Sequence, residues 1–143
     1  MKPILGVFLF LLPLVAAAQT GRWQLVWQDE FDRPGLPDSN RWQYDVGGHG
    51  WGNNELQFYT AADLRNVRVE GGKLVVEARK DSMQGMGYTS ARLVTRGKAT
   101  WSHGRVEVAA KLPKGRGTWP AIWMLSAHTP LNWPDDGEID IME

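Results

Sequence analysis

The sequence contains no cysteine, which excludes disulfides, thiolate metal sites and a lipid-modified cysteine at the start of a mature chain. It also lacks an excess of either charge: 16 Lys and Arg stand against 16 Asp and Glu. That balance argues against a nucleic-acid or anionic-membrane partner. Histidine is scarce, and His49, His103 and His128 are too far apart for metal-ligand spacing, so they read as loop residues. No window holds a sustained i, i+3, i+4, i+7 apolar stripe between capping residues, which excludes a helical bundle. There is no repeat at a solenoid or propeller period and no linker, leaving one domain.

Long apolar runs are missing too, apart from Ile4 to Val15, which is shorter than the ~20 residues of a membrane span and contains Pro13. With Met1 and Lys2 as a basic start and Ala16-Ala17-Ala18 as a small-residue cleavage site, residues 1–18 read as a secretory signal peptide. The expected product is a secreted protein, extracellular or periplasmic, with no membrane attachment after cleavage and a mature chain from about Gln19. Without disulfides it must rest on its core or on a bound metal.

What the sequence does have is tryptophan, eight in all, together with 16 glycines. Trp23, Trp27 and Trp42 are expected in the core. Alternation at Trp23, Leu25 and Trp27 reads as a strand leading to a turn cluster at Arg33–Asp38. Val67 and Val69, the Gly71-Gly72 pair and then Leu74, Val76 and Ala78 predict a hairpin. Asp81 to Ser90 reads as a polar loop in which Gly85, Gly87 and Ser90 pack nothing. Val106, Val108, Ala110 and Leu112 alternate with polar or small residues as a second long strand would, and Trp119–Leu125 is apolar enough for a central strand covered on both faces. The fold class is therefore all-β, with a sandwich favoured over a barrel.

The richest stretch is Gly137-Glu138-Ile139-Asp140-Ile141-Met142-Glu143. In a strand Glu138 and Asp140 share one face, and regular alternation would add Met142 to it rather than Glu143. Glu143 joins the other two only if a β-bulge near Ile141 and Met142 absorbs one residue. Paired carboxylates on one wall suit glycoside hydrolysis, where one acid stabilises or attacks the sugar carbon and the other protonates the leaving oxygen. A third acid between them helps hold their pKa values apart. The competing reading is a solvated edge strand.

Glu138 to Glu143 resembles the active-site signature of glycoside hydrolase family 16 in its bulged, laminarinase-type form. Gly115-Arg116-Gly117-Thr118-Trp119-Pro120-Ala121-Ile122-Trp123-Met124-Leu125 and Trp51-Gly52-Asn53-Asn54-Glu55-Leu56-Gln57-Phe58-Tyr59-Thr60 resemble the same family in order and spacing. The resemblance implies a curved jelly-roll β-sandwich with a catalytic domain over 19–143 that is truncated on its C-terminal side, and it implies poor folding and no activity for that portion alone. It implies Glu138 as nucleophile, Glu143 as general acid/base and Asp140 as the acid between them. It further implies sugar contacts from Asn54, Arg96, Trp119 and Trp123, with the two tryptophans forming a stacking wall. No cofactor is required for catalysis, but family members carry a structural calcium held partly by main-chain oxygens, here matching Glu30 and Gly72. The implied activity is a monomeric endo-acting enzyme on β-1,3-glucan such as laminarin. The alternatives are another polysaccharide, such as mixed-linkage glucan or agar, and a non-catalytic jelly-roll that binds carbohydrate. The intact acid triad favours the enzyme.

Overall fold

The computed structural model describes residues 23–143, so the expected signal peptide over 1–18 and the expected mature terminus near Gln19 both lie outside the described residues. Eight short strands follow one another, and there is no helix among the described residues. They are β1 (Gln43–Asp45), β2 (Gln57–Tyr59), β3 (Val67–Val69), β4 (Leu74–Val76), β5 (Tyr88–Ser90), β6 (Arg92–Val94), β7 (Ile122–Leu125) and β8 (Glu138–Met142).

The β3–β4 hairpin forms as its sequence predicts, with Val67 opposite Val76 and Val69 opposite Leu74. Glu70 and Lys73 exchange main-chain hydrogen bonds across a two-residue turn whose Gly71 and Gly72 have φ of 58° and 68°. Positive φ at both central positions matches the right-handed twist of the flanking strands, and glycine adopts it without a Cβ clash. Val67 and Val69 are buried at 0% and 5% exposure. Each such side chain contributes roughly 1.5–3 kcal/mol relative to remaining in water.

Around this hairpin lies a buried polar knot. Asn66 Nδ2 donates to the Glu77 carbonyl and to Thr89 Oγ1, both at 3.0 Å, and Thr60 Oγ1 donates to Asn66 Oδ1 at 3.0 Å. Asn66 and Thr89 are fully buried, so these bonds replace the water that both groups lose. The knot draws the segment after β2, the start of β3 and the middle of β5 to one point. Parallel pairing of β2 with β5 and antiparallel pairing of β1 with β6 extend the structure from there.

Four sequence expectations need correction. The alternating Trp23–Trp27 segment forms no strand, and Trp23 is 71% exposed rather than in the core, whereas Trp27 and Trp42 are half-buried and meet edge to face at 5.5 Å. Residues 105–112 form no strand and leave Val106, Val108 and Leu112 exposed. Alternation supplies a face to bury but no ladder partner, and these segments find none among the described residues. Asp81–Ser90 is only partly a loop. Its end is β5, where Thr89 is buried and the Ser90 carbonyl accepts the Thr60 N–H at 2.9 Å. Finally, the apolar run at 119–125 becomes a strand only from Ile122, is half-buried rather than covered on both faces, and leaves Trp119 outside it.

Candidate active site

β7 and β8 form an antiparallel ladder in which Leu125 stands opposite Glu138, Met124 opposite Ile139 and Trp123 opposite Asp140. The next pair is Ile122 with Met142, so the register slips and Ile141 has no counterpart. This is the bulge that the acid spacing predicts. Its effect follows from parity. Residues directly opposite each other share a face, so Glu138, Asp140, Trp123 and Leu125 lie on one side. Met142 sits with Ile122 on the other side, and the residue after it, Glu143, returns to the side of the first two acids.

Each outer acid receives an indole N–H. Trp133 Nε1 donates to Glu138 Oε2 and Trp119 Nε1 donates to Glu143 Oε1, both at 2.9 Å. The three acids are exposed, and the two tryptophans are 63% and 57% exposed, so carboxylates and rings are open to an approaching ligand. Trp133 comes from the loop between β7 and β8 and was not singled out by sequence reasoning. The only available signal was its position five residues before Glu138 in a Gly- and Pro-containing turn. That loop is pinned by Asp136, which accepts the Asn132 N–H at 2.7 Å and faces His128 Nδ1 at 3.4 Å. The Asn132 main-chain N–H, more than the histidine, holds the Asp136 carboxyl below its usual range.

A second wall faces this strand. The Arg92 guanidinium carbon lies 4.7 Å from the Trp51 ring centroid and 4.7 Å from that of Trp123. Arg96 points elsewhere, holding Asp45 through Nη1 at 2.9 Å and Nη2 at 3.3 Å. The arginine that reaches the acid-bearing ladder through Trp123 is thus Arg92, four residues earlier. Local spacing does not distinguish the two. Only the β1–β6 register does, by placing Arg92 opposite Asp45.

The loop that carries Trp51 and Asn54 is set by main-chain bonds from Asn53 and Glu55 to the Gly50 carbonyl at 2.9 and 3.1 Å. Asn54 takes φ of 56°, a left-handed turn conformation that asparagine tolerates, and is exposed. At Gly48 the chain passes so close to Met86 that an added Cβ would come within 2.6 Å of its Cγ, so a larger residue would force the Met86 side chain or the loop to shift. Below the loop, the Tyr59 hydroxyl donates to Glu55 Oε2 at 2.8 Å, and Gln57 Nε2 bonds the same oxygen. Burial, aided by Glu55, pushes the Tyr59 phenol up to about 12.

Glu30 borders a surface concavity with Asp29, Asp32 and Asp38, and Gly72 lies in the exposed hairpin turn outside that wall. Two carbonyls fall well short of the six to eight oxygens that calcium takes. Among the described residues no group of three or more acidic or histidine side chains is placed to complete the set. The described residues alone therefore do not fit a calcium ion. No described helix is long and apolar enough to cross a membrane.

Comparison with known proteins agrees with this geometry. The family model described as "XgeA-like, catalytic GH16 domain" matches residues 54–143. A beta-glucanase of Rhodothermus marinus is 64% identical over 124 residues, covering 85% of this chain and 43% of that protein. A glucan endo-1,3-beta-glucosidase of Cryptopygus antarcticus is 46% identical over 143 residues, covering 95% and 51%. The X-ray structure of the laminarinase from Rhodothermus marinus superposes with a TM-score of 0.81 at 63% identity, covering 84% of this chain and 49% of that one. The chain spans about half the length of the curated relatives it matches. The described part has the jelly-roll β-sandwich architecture of those neighbours, and the match over 54–143 takes in the Asn54 loop, β7 and all three acids of β8. The chain belongs to glycoside hydrolase family 16.

Proposed function

We propose that the protein of which this chain forms a part is a secreted, monomeric, retaining glycoside hydrolase that cuts internal β-1,3-glucosidic bonds of β-glucan. The observation that carries this reading is the bulge at Ile141, which gives Glu138, Asp140 and Glu143 one common face beside Trp119 and Trp123. An inert edge strand has no need of an extra residue at that point.

In the first step Glu138 attacks the anomeric carbon while Glu143 protonates the departing glycosidic oxygen. In the second, Glu143 takes a proton from water, which displaces Glu138 and restores the free enzyme. Asp140 stands between the two outer acids on the same face of the strand. The indole N–H groups of Trp133 and Trp119 orient the two outer carboxyls. Trp119 and Trp123 offer flat apolar faces to glucosyl rings, and Asn54 offers a polar contact from its exposed loop, while Arg96 is engaged by Asp45 instead.

The preference for β-1,3-glucan is supported by the names of the Cryptopygus and Rhodothermus relatives. NMR of early products from laminarin, lichenan and agar tests both parts of the reading. Release of the β anomer from laminarin first and fastest is expected. Early α anomer would overturn the mechanism, and a preference for agar would overturn the substrate.

A further inference from the structure

We infer that Asp45 is a positioning residue, which fixes the Arg92 guanidinium between Trp51 and Trp123 and thereby sets the spacing between the Trp51–Asn54 loop and the acid-bearing ladder. Asp45 lies directly opposite Arg92 in the β1–β6 pairing. Its carboxylate meets Arg92 Nε at 3.3 Å, and the two side chains are only 11% and 17% exposed. A guanidinium is a flat cation whose edge takes carboxylates and whose faces take aromatic rings. Asp45 occupies the edge, which leaves the faces to Trp51 and Trp123, each 4.7 Å from Cζ.

Both ring partners are themselves tied down. Trp51 Nε1 donates to the Gly47 carbonyl at 3.1 Å, and Trp123 is fixed by its ladder position opposite Asp140. Arg92 therefore joins the loop to the strand of the acids, and Asp45 is what orients it. Arg96 grips both oxygens of the same carboxylate, Oδ1 at 2.9 Å and the Oδ2 that also faces Arg92 at 3.3 Å, and so keeps it from turning away. Asp45 on β1, far from β8 in sequence, thus sets the distance between the Trp51 loop and the strand that carries the acids. An aspartate that merely stabilised the fold would not influence Trp51 and Trp123 selectively.

The inference rests on the glucan reading only for its kinetic arm. In the intact enzyme, Asp45→Asn should raise KM for laminarin roughly 3- to 10-fold while kcat stays within about 2-fold, matching loss of one oriented cation–π contact. Near-UV circular dichroism from the tryptophans should weaken in parallel, and Asp45→Glu should restore part of both. Arg92→Lys keeps a cation beside Asp45 but loses the plane, so it should give the same KM rise and spectral loss, and it serves where Asp45→Asn fails to fold. A wild-type spectrum in Arg92→Lys, or equal loss in kcat and 1/KM together with a lowered Tm, would overturn the proposal. Should the wild type leave laminarin uncut, the glucan reading fails, and the spectra of the variants still decide the role of Asp45.

Discussion

Trp123 stands directly across the ladder from Asp140, while its neighbour Ile122 pairs with Met142. The skipped residue, Ile141, is what returns Glu143 to the face of Glu138. Deleting Ile141 in the intact enzyme should restore regular pairing and still leave Glu143 on the face of Glu138, because Glu138, Asp140 and Glu143 then alternate with Ile139 and Met142. Glucan hydrolysis should then survive, falling by less than the roughly 100-fold that loss of a positioned general acid costs. Far-ultraviolet circular dichroism should stay near that of the wild type. A loss of about 100-fold or more in a folded deletion variant would show that facing alone does not place Glu143.

The two outer glutamates should fail in different ways. Glu138→Gln removes the nucleophile and should nearly abolish turnover of every substrate. Glu143→Gln should slow laminarin by about 100- to 10,000-fold. It should spare formation of the glycosyl-enzyme from activated aryl glucosides, whose leaving groups need no proton. A burst of aryl release followed by slow hydrolysis is the expected trace. Equal loss on both substrate types would reverse or void the assignment.

The fold and the site were legible in the sequence wherever the governing interaction was local. The β3–β4 hairpin follows from two glycines between alternating valines, and the bulge follows from three acids at positions 138, 140 and 143 that ordinary pleating cannot bring to one face. Partner choice was not legible. Residues 23–27 and 105–112 alternate as strands do, yet a strand exists only with a ladder beside it, and Val106 and Val108 are each 51% exposed. The Asp81–Ser90 stretch misled in the opposite sense. Its polar Thr89 is buried because Asn66, 23 residues earlier, meets its hydroxyl. Arg92 and Trp133 were missed for the same reason, since each is defined by a contact with a distant or reversed segment.

Asn66 offers a direct measure of that non-local polar knot. Asn66→Ala removes the donor to the Glu77 carbonyl and Thr89 Oγ1 and the acceptor for Thr60, leaving buried groups without partners. Each orphaned group costs on the order of 1–3 kcal/mol. Thermal or urea denaturation of the intact enzyme should show a loss in or above that range, with KM unchanged in what remains folded. Asn66→Asp should do no better, since a carboxylate cannot donate to Thr89. A loss under about 0.5 kcal/mol would mean that water or a shifted backbone satisfies the knot.

Tyr59 gives the protein an alkaline limit. Burial first, then the Glu55 carboxylate that accepts its hydroxyl at 2.8 Å, raises the phenol from its ordinary value near 10 to about 12. The folded state therefore holds this proton more tightly than the unfolded chain does. Stability rises with pH only where the unfolded state binds more protons, and between pH 10 and 12 the reverse is true for Tyr59. Its contribution is thus fully present below the unfolded value and is lost progressively as pH climbs through that window. The loop from Trp51 to Asn54 should loosen first, because the Trp51 ring lies 5.4 Å from that of Tyr59. Tyr59→Phe cannot ionise, so its Tm should decline less than that of the wild type from pH 10 to 12. Its stability at pH 7 should be lower by about 1.5–3 kcal/mol, the range for a hydrogen bond to a charged acceptor, since Glu55 loses a donor. Ultraviolet absorbance at alkaline pH should lack one late-titrating tyrosine in the variant. Parallel Tm curves for the two proteins across that range would show that Tyr59 ionises no later in the folded state than in the unfolded chain.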